Sequence, residues 1–242
     1  MKKKILAIIP CRLGSKDIPN KNIYKVFGKP LIYYSIFFAQ QCSFIDKIVV
    51  STDSTKYKKI ANEFGIKPTP LRPKKISKSN SLDIDFIKYE LKVLKNRENY
   101  IPEIIILLRP TSPLRKIKIL KKALNILFKK RIVESVRSVS LMDKSIYKMW
   151  CLENNFLKPV IKNDTIFVEP YNAPRQKLKK FFYQNAVYDL LRTKLLKKNK
   201  ISGKNIFALK TTDNLDIDNF DDLENLKKYK KKFIKFKKFI ST

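Results

Sequence analysis

Two stretches of this 242-residue chain carry side chains whose types and spacing could do phosphate chemistry, and a third could support them. The first is Pro10-Cys11-Arg12-Leu13-Gly14-Ser15-Lys16-Asp17-Ile18-Pro19-Asn20-Lys21-Asn22. Arg12, Lys16 and Lys21 can neutralise a polyphosphate, and small residues such as Gly14 and Ser15 let the backbone approach it. On charge alone the same run reads equally well as a basic surface turn. The second stretch is Leu215-Asp216-Ile217-Asp218. In extended backbone Asp216 and Asp218 point to one side while Ile217 turns to the core. Paired carboxylates suit Mg²⁺, which takes few protein oxygens together with substrate phosphates. The third is Arg109-Pro110-Thr111-Ser112-Pro113-Leu114-Arg115, a Pro-bracketed turn in which Thr111 and Ser112 read as structural.

Other chemistries are excluded. The chain has no His, which removes His-based triads, His metal sites and imidazole acid–base catalysis. Cys11, Cys42 and Cys151 are widely spaced and suggest neither a disulfide framework nor a zinc site.

The elements that must position these residues alternate. Ile5 to Ile9 is a continuous apolar run, read as a strand buried on both faces, and the first basic stretch leaves its carboxyl end. In an open α/β sheet, ligands bind in the crevice outside such ends. A largely buried helix is predicted over 30–42, a second buried strand over 47–53, and a helix ended by Gly65, with Ser51-Thr52-Asp53-Ser54 as its cap. A polar linker then leads to a helix over 83–94. Ile104 to Leu108 is the most apolar strand and is expected at the centre of the sheet. A basic amphipathic helix over 116–130 uses Leu120, Ala123, Leu124 and Leu127, and a strand follows over 133–139. From 141 to 180 the alternation breaks into polar, aromatic, Pro-punctuated sequence. A short strand over 206–209 precedes the last helix, with Asn219 as its cap and Asp221 and Asp222 favoured by its dipole. The tail from Lys227 reads as that helix fraying into a basic, solvated end. This alternation predicts an α/β fold with a mainly parallel sheet.

Net charge is the compositional anomaly: +33, from 54 Lys and Arg against 21 Asp and Glu. Nucleic acid is the obvious partner for such a chain. The lysines are spread along the whole length, however, and no recognition motif accompanies them, so nucleic acid is not the expected ligand. Met1-Lys2-Lys3-Lys4 before Ile5 to Ile9 imitates a secretion signal, but five apolar residues fall short of the ~7–15 of such a segment. No stretch approaches the ~20 apolar residues that span a bilayer. The chain reads as cytoplasmic, without a membrane partner.

The ordering of these residues resembles the CMP-sialic acid synthetase family, the cytidylyltransferases that activate sialic acids and related nonulosonic acids for cell-surface glycans. Its members read roughly Ile-Pro-Ala-Arg-x-Gly-Ser-Lys-Gly-Ile-Pro-x-Lys-Asn where this chain has Arg12, Gly14, Ser15, Lys16, Ile18, Pro19, Lys21 and Asn22. Cys11 replaces the usual Ala and Asp17 the usual Gly. Six of the seven residues from Arg109 to Arg115 agree, Arg109 standing where the family has Gln. Gln donates and accepts, whereas Arg only donates, which suggests a different acceptor or a more tightly held carboxylate. Arg72-Pro73, Tyr147-Lys148-Met149, Pro174-Arg175-Gln176 and Leu215 to Leu223 also match. Asn185-Ala186-Val187-Tyr188 matches through either Asn185 or Tyr188, not both.

The resemblance implies one Rossmann-like nucleotidyltransferase domain over 1–242, helices on both sheet faces, and 141–180 as an inserted dimerisation extension in a homodimer. It implies CTP as co-substrate, a nonulosonic acid as acceptor and Mg²⁺ as cofactor. Arg12, Gly14, Ser15, Lys16, Lys21, Asn22, Arg72 and Ser81 would bind the nucleotide, Arg12 and Lys21 bearing developing charge. Arg109, Lys148, Arg175, Gln176 and Tyr188 would face the sugar acid. Asp216 and Asp218 would hold the metal, with Asp218 counted among the catalytic residues. A surface loop cation is the competing reading of Arg72. The rival functions are a nucleotidyltransferase of the same fold with another sugar or nucleotide, and a basic binding protein with a degenerate site.

Overall fold

Strand β1 (Ile5–Pro10) sends alternate side chains into two separate cores, as a strand buried on both faces must. Ile5, Ala7 and Ile9 join one cluster; Leu6 and Ile8 join the other. The computed structural model describes residues 3–15, 17–162, 166–212 and 215–241. Met1 and Lys2, the start of the signal-like opening, therefore lie outside the described residues, as do three positions of the 141–180 segment.

A short hairpin, β2 (Lys25–Val26) and β3 (Lys29–Pro30), follows the basic loop. Its two turn residues, Phe27 at φ 45° and Gly28 at φ 80°, give the left-handed pair that a two-residue hairpin requires. Phe27 is held in this costly conformation by packing on Phe233, ring centroids 5.0 Å apart. Helix α1 (Leu31–Gln40) starts directly after Pro30. Strand β4 (Lys47–Ser51) and helix α2 (Thr55–Glu63) come next. Ser54 caps α2 by accepting the Tyr57 N–H, the role expected of it. Helix α3 (Asp83–Glu98) runs one turn beyond the predicted end and stops at Asn99, φ 45°. Strand β5 (Ile104–Leu107), helix α4 (Ile117–Lys129) and strand β6 (Ser135–Leu141) continue the alternation. Then come a hairpin, β7 (Trp150–Glu153) with β8 (Phe156–Pro159), and strands β9 (Phe182–Arg192) and β10 (Ile206–Lys210).

The six-stranded sheet has the order β10-β6-β9-β5-β1-β4. β1 pairs parallel with β4 and β5, while β9 runs antiparallel to β5. β5 is interior, as its four buried residues require. One core joins α1, α4 and the C-terminal helices; the other joins Phe86, Ile87 and Leu94 of α3. Helices thus cover both faces of a Rossmann-like, mainly parallel α/β sheet. The chain divides into two compact units, Met1–Ser138 with Asn185–Thr242, and Val139–Gln184. The second contains the β7–β8 hairpin and a small core of Tyr147, Ala173 and Leu178.

The tail corrects its sequence reading. Helix α5 (Phe220–Asn225) leads into α6 (Lys230–Ile234) and α7 (Phe236–Ser241). Phe233, Phe236 and Ile240 are buried, and both Phe rings sit 4.9 Å from Tyr34. Lysines hid an apolar stripe whose partner, the Tyr34–Phe37 face of α1, lies some two hundred residues away in sequence. The segment is core, not a solvated end.

Candidate active site at the carboxyl ends of the parallel strands

The loop leaving β1 is tied down before any ligand is considered. Cys11 N–H donates to Ser51 O, Leu13 N–H to Asp53 Oδ1 at 2.9 Å, and Asn22 Nδ2 to Arg12 O at 3.1 Å. Asn20, at φ 55°, accepts the Tyr57 hydroxyl, and Arg12 bonds the Gly14 carbonyl. Cys11 is fully buried and its thiol pKa is raised by that burial, so it serves as a small core residue.

This loop forms one wall of a cleft of ≈ 380 Å³. Arg12, Ser15, Lys21 and Asn22 line it from the loop, and Asp17 lines it beside them. Arg72 and Ser81 line it from the segment before α3, Arg109 from the end of β5, and Asp218 from the turn before α5. Of the other expected nucleotide residues, Gly14 accepts from Arg12 through its carbonyl and is not among the lining residues, and Lys16 lies outside the described residues.

Arg72 is not a surface cation. It is buried, its Nε donates to Ser77 Oγ at 3.1 Å, and its guanidinium lies 5.3 Å from the Phe86 ring centroid. Burial lowers its pKa, opposed by Asp53, Cys11 and Glu90.

Arg109 carries two counter-charges of its own. It bonds Asp83 at the start of α3 and lies 3.1 Å from Asp189 Oδ2, which is fully buried and also paired with Arg137 at 2.8 Å. Sequence reading missed this network, because Asp83, Arg137 and Asp189 come from α3, β6 and β9, elements far apart in sequence that only the fold unites. Asp83, Lys78 and Phe86 also line the cleft unforeseen; the periodicity marked Asp83 only as the start of a helix.

The two aspartates differ. Asp216 is half-buried and accepts Ser112 Oγ at 3.3 Å, while Ile217 N–H donates to Thr111 O at 2.9 Å. Burial, and then the neighbouring Asp218 charge, raise the Asp216 pKa. Ser112 and the Thr111 backbone therefore brace this turn, as a structural reading expected, while Thr111 also lines the cleft. Asp218 is exposed, and its carboxylate meets Lys21 Nζ at 2.9 Å. Among the described residues no three His, Cys, Asp or Glu side chains gather as a metal cage. A pair of carboxylates is what the site offers.

Of the remaining expected sugar-acid residues, Tyr188 is not among those lining this cleft. Tyr188 is buried, its hydroxyl donating to Lys116 O and accepting Lys116 N–H at 2.6 Å, so its tip serves the turn into α4. Lys148, Arg175 and Gln176 belong to the unit Val139–Gln184. There Lys148 Nζ donates to Tyr171 O at 2.9 Å, and Arg175 and Gln176 are exposed on a 3₁₀ turn.

A cation-lined crevice outside the carboxyl ends of β1 and β5, with carboxylates at its rim, defines a nucleotide-site α/β protein. The chain belongs to the cytidylyltransferase family, whose model matches residues 6–233. It is 35% identical over 165 residues to a CMP-N,N'-diacetyllegionaminic acid synthase of Legionella pneumophila, spanning 66% of this chain and 69% of that one. It is 39% identical over 115 residues to an N-acylneuraminate cytidylyltransferase of Escherichia coli, matching 48% of this chain but only 26% of that relative's length. In three dimensions it resembles CMP:2-keto-3-deoxy-manno-octonic acid synthetase, solved with CTP, at TM-score 0.68, 16% identity and coverage of 95% and 99%. That likeness establishes the fold. Among the described residues no helix is long and apolar enough to cross a membrane.

Proposed function

We propose that this protein moves a cytidylyl group from CTP to a nonulosonic acid such as an N-acylneuraminate or legionaminate. The acceptor's anomeric hydroxyl attacks the α-phosphorus, and the bond to pyrophosphate breaks. The observation that carries this reading is the meeting of Arg12, Lys21, Arg72 and Asp218 in one cleft. Catalysis here is positioning and electrostatics. Arg12 and Lys21 receive the charge that develops on the phosphates, and Arg72 holds the nucleoside end. Asp216 and Asp218 fit a divalent cation by their chemistry, two carboxylates two residues apart beside a phosphate-sized cleft. Burial, and then the Asp218 charge, raise the Asp216 pKa, and a bound cation would favour its ionised form. Mg²⁺ supplies Lewis-acid polarisation of phosphate oxygens when bound.

The whole chain works as one nucleotidyltransferase domain with 141–180 as its extension, in the cytoplasm where CTP is made. The exposed apolar residues Leu152, Phe156, Leu157 and Val168 support a homodimer through that extension. In the dimer, Lys148, Arg175 and Gln176 contribute to the sugar-acid site. Arg109 favours a second reading of the acceptor alone: a related acidic sugar recognised differently from sialic acid.

Pyrophosphate release tests both. CTP with sialic, legionaminic, pseudaminic and Kdo acids should give turnover with at least one nonulosonic acid. Turnover only with GTP or UTP, or with none, overturns the proposal.

A further inference from the structure

Behind the cleft lies a carboxyl group that the proposed chemistry does not use. Glu90 is fully buried on α3, and neither of its oxygens has a hydrogen-bond partner among the described residues. The Ser51 hydroxyl at the end of β4 faces it without the geometry of a formed hydrogen bond, and it too is buried without a partner. Orphaned buried polar groups are costly and call for an explanation. Glu90 stands one turn beyond Phe86 on the same helix face. The Phe86 ring carries the Arg72 guanidinium, and both Phe86 and Arg72 line the cleft. The Arg72 side chain donates from Nε to Ser77 Oγ, and the charges around its guanidinium act on the rest of its orientation.

We propose that Glu90 is a positioning residue for nucleotide binding, its buried charge holding the Arg72 guanidinium against Phe86 on the cleft floor. This rests on the CTP reading above and goes beyond it by assigning a role outside the cleft lining.

The pair and the groups facing it come from four places. Arg72 enters from the segment before α3, Ser51 and Asp53 from the end of β4, Cys11 and Arg12 from the end of β1, and Tyr89 from α3 itself. Burial pushes the Glu90 pKa up to about 7, offset by Ser51 and Arg72. Because the folded value lies above the ordinary 4.5, ionised Glu90 costs stability, and the cost grows as pH rises from about 4.5 to about 7. Retaining such a group at the expense of stability fits a functional role.

The experiment compares wild type with Glu90→Gln by calorimetric CTP binding and thermal melting from pH 6 to pH 8.5. At pH 8 the variant should melt higher yet bind CTP about tenfold more weakly, as expected for coupled neighbours. Titration of the CTP phosphate is common to both proteins. The wild-type Kd should therefore carry an extra rise as pH falls through about 7, absent from the variant. In an Arg72→Gln background, Glu90→Gln should cause no further loss. Equal CTP affinity and parallel pH profiles in wild type and variant overturn the role of Glu90 alone. A wild type that does not bind CTP overturns the function as well.

Discussion

Lys21 Nζ reaches Asp218 across 197 residues of sequence, bonding its carboxylate at 2.9 Å and its backbone carbonyl at 3.1 Å. This contact joins the loop after β1 to the turn before α5, so the cation proposed for phosphate binding and the carboxylate proposed for metal binding share one rim. Without substrate each neutralises the other. Nucleotide would give Lys21 a stronger anionic partner and release Asp218.

Lys21→Ala should therefore cut turnover by ~2.7–4 kcal/mol of transition-state stabilisation. Stability should fall by less than about 1 kcal/mol, since the lost pair is with an exposed carboxylate. Steady-state kinetics beside a melting curve checks this. Activity within a few-fold of wild type removes Lys21 from the mechanism.

Asp216→Asn and Asp218→Asn should each abolish most turnover and weaken its response to added Mg²⁺. The raised Asp216 pKa, caused first by burial, means that its ionised form costs stability, a cost that grows as pH rises above the ordinary carboxylate range towards the raised value. Asp216→Asn should thus melt no lower than wild type at neutral pH. Asn219→Ala is the control: Asn219 accepts the Asp222 N–H at 2.9 Å and caps α5, so its loss should cost about 0.5–2 kcal/mol and leave the Mg²⁺ response intact. A Mg²⁺ response unchanged in both aspartate variants removes the metal assignment.

Most of the sheet and half of the cleft were legible in the sequence because their signals are local. Continuous apolar runs marked β1, β4 and β5, and the cap at Ser54 is written in adjacent residues. Arg72 was ambiguous because nothing near it in sequence reveals that Phe86 and α3 cover it. Arg109 read as a departure from pattern; its partner Asp189 is brought near it by the pairing of β5 with β9, and its partner Asp83 by the start of α3. The tail misled for a different reason: lysines in every turn masked Phe233, Phe236 and Ile240, and a charge-rich composition outweighed the stripe.

That tail supplies a stability prediction. Phe236→Ala should cost about 3–5 kcal/mol, the range for emptying a buried aromatic site. The ring touches both Tyr34 and Phe37 of α1. Denaturant unfolding checks it, and a loss below about 0.5 kcal/mol would mean that the C-terminal helices do not dock in solution.

Arg109 is the sharpest test of what the acceptor contributes. Its guanidinium faces the cleft but is already balanced by Asp83 and by buried Asp189, which it shares with Arg137. An acceptor carboxylate at Arg109 must compete with Asp83, the more exposed of the two. Asp83→Asn removes that competitor while keeping the side chain's size and an oxygen to accept from Arg109. If Arg109 binds the acid, KM for the acceptor should fall several-fold and KM for CTP should hold. Stability should drop by only ~0.3–1 kcal/mol, because Asp83 also sits favourably in the first turn of α3. An acceptor KM that is unchanged or raised, at normal CTP affinity, would show that Arg109 meets no acceptor carboxylate and serves the Asp83–Asp189 network instead.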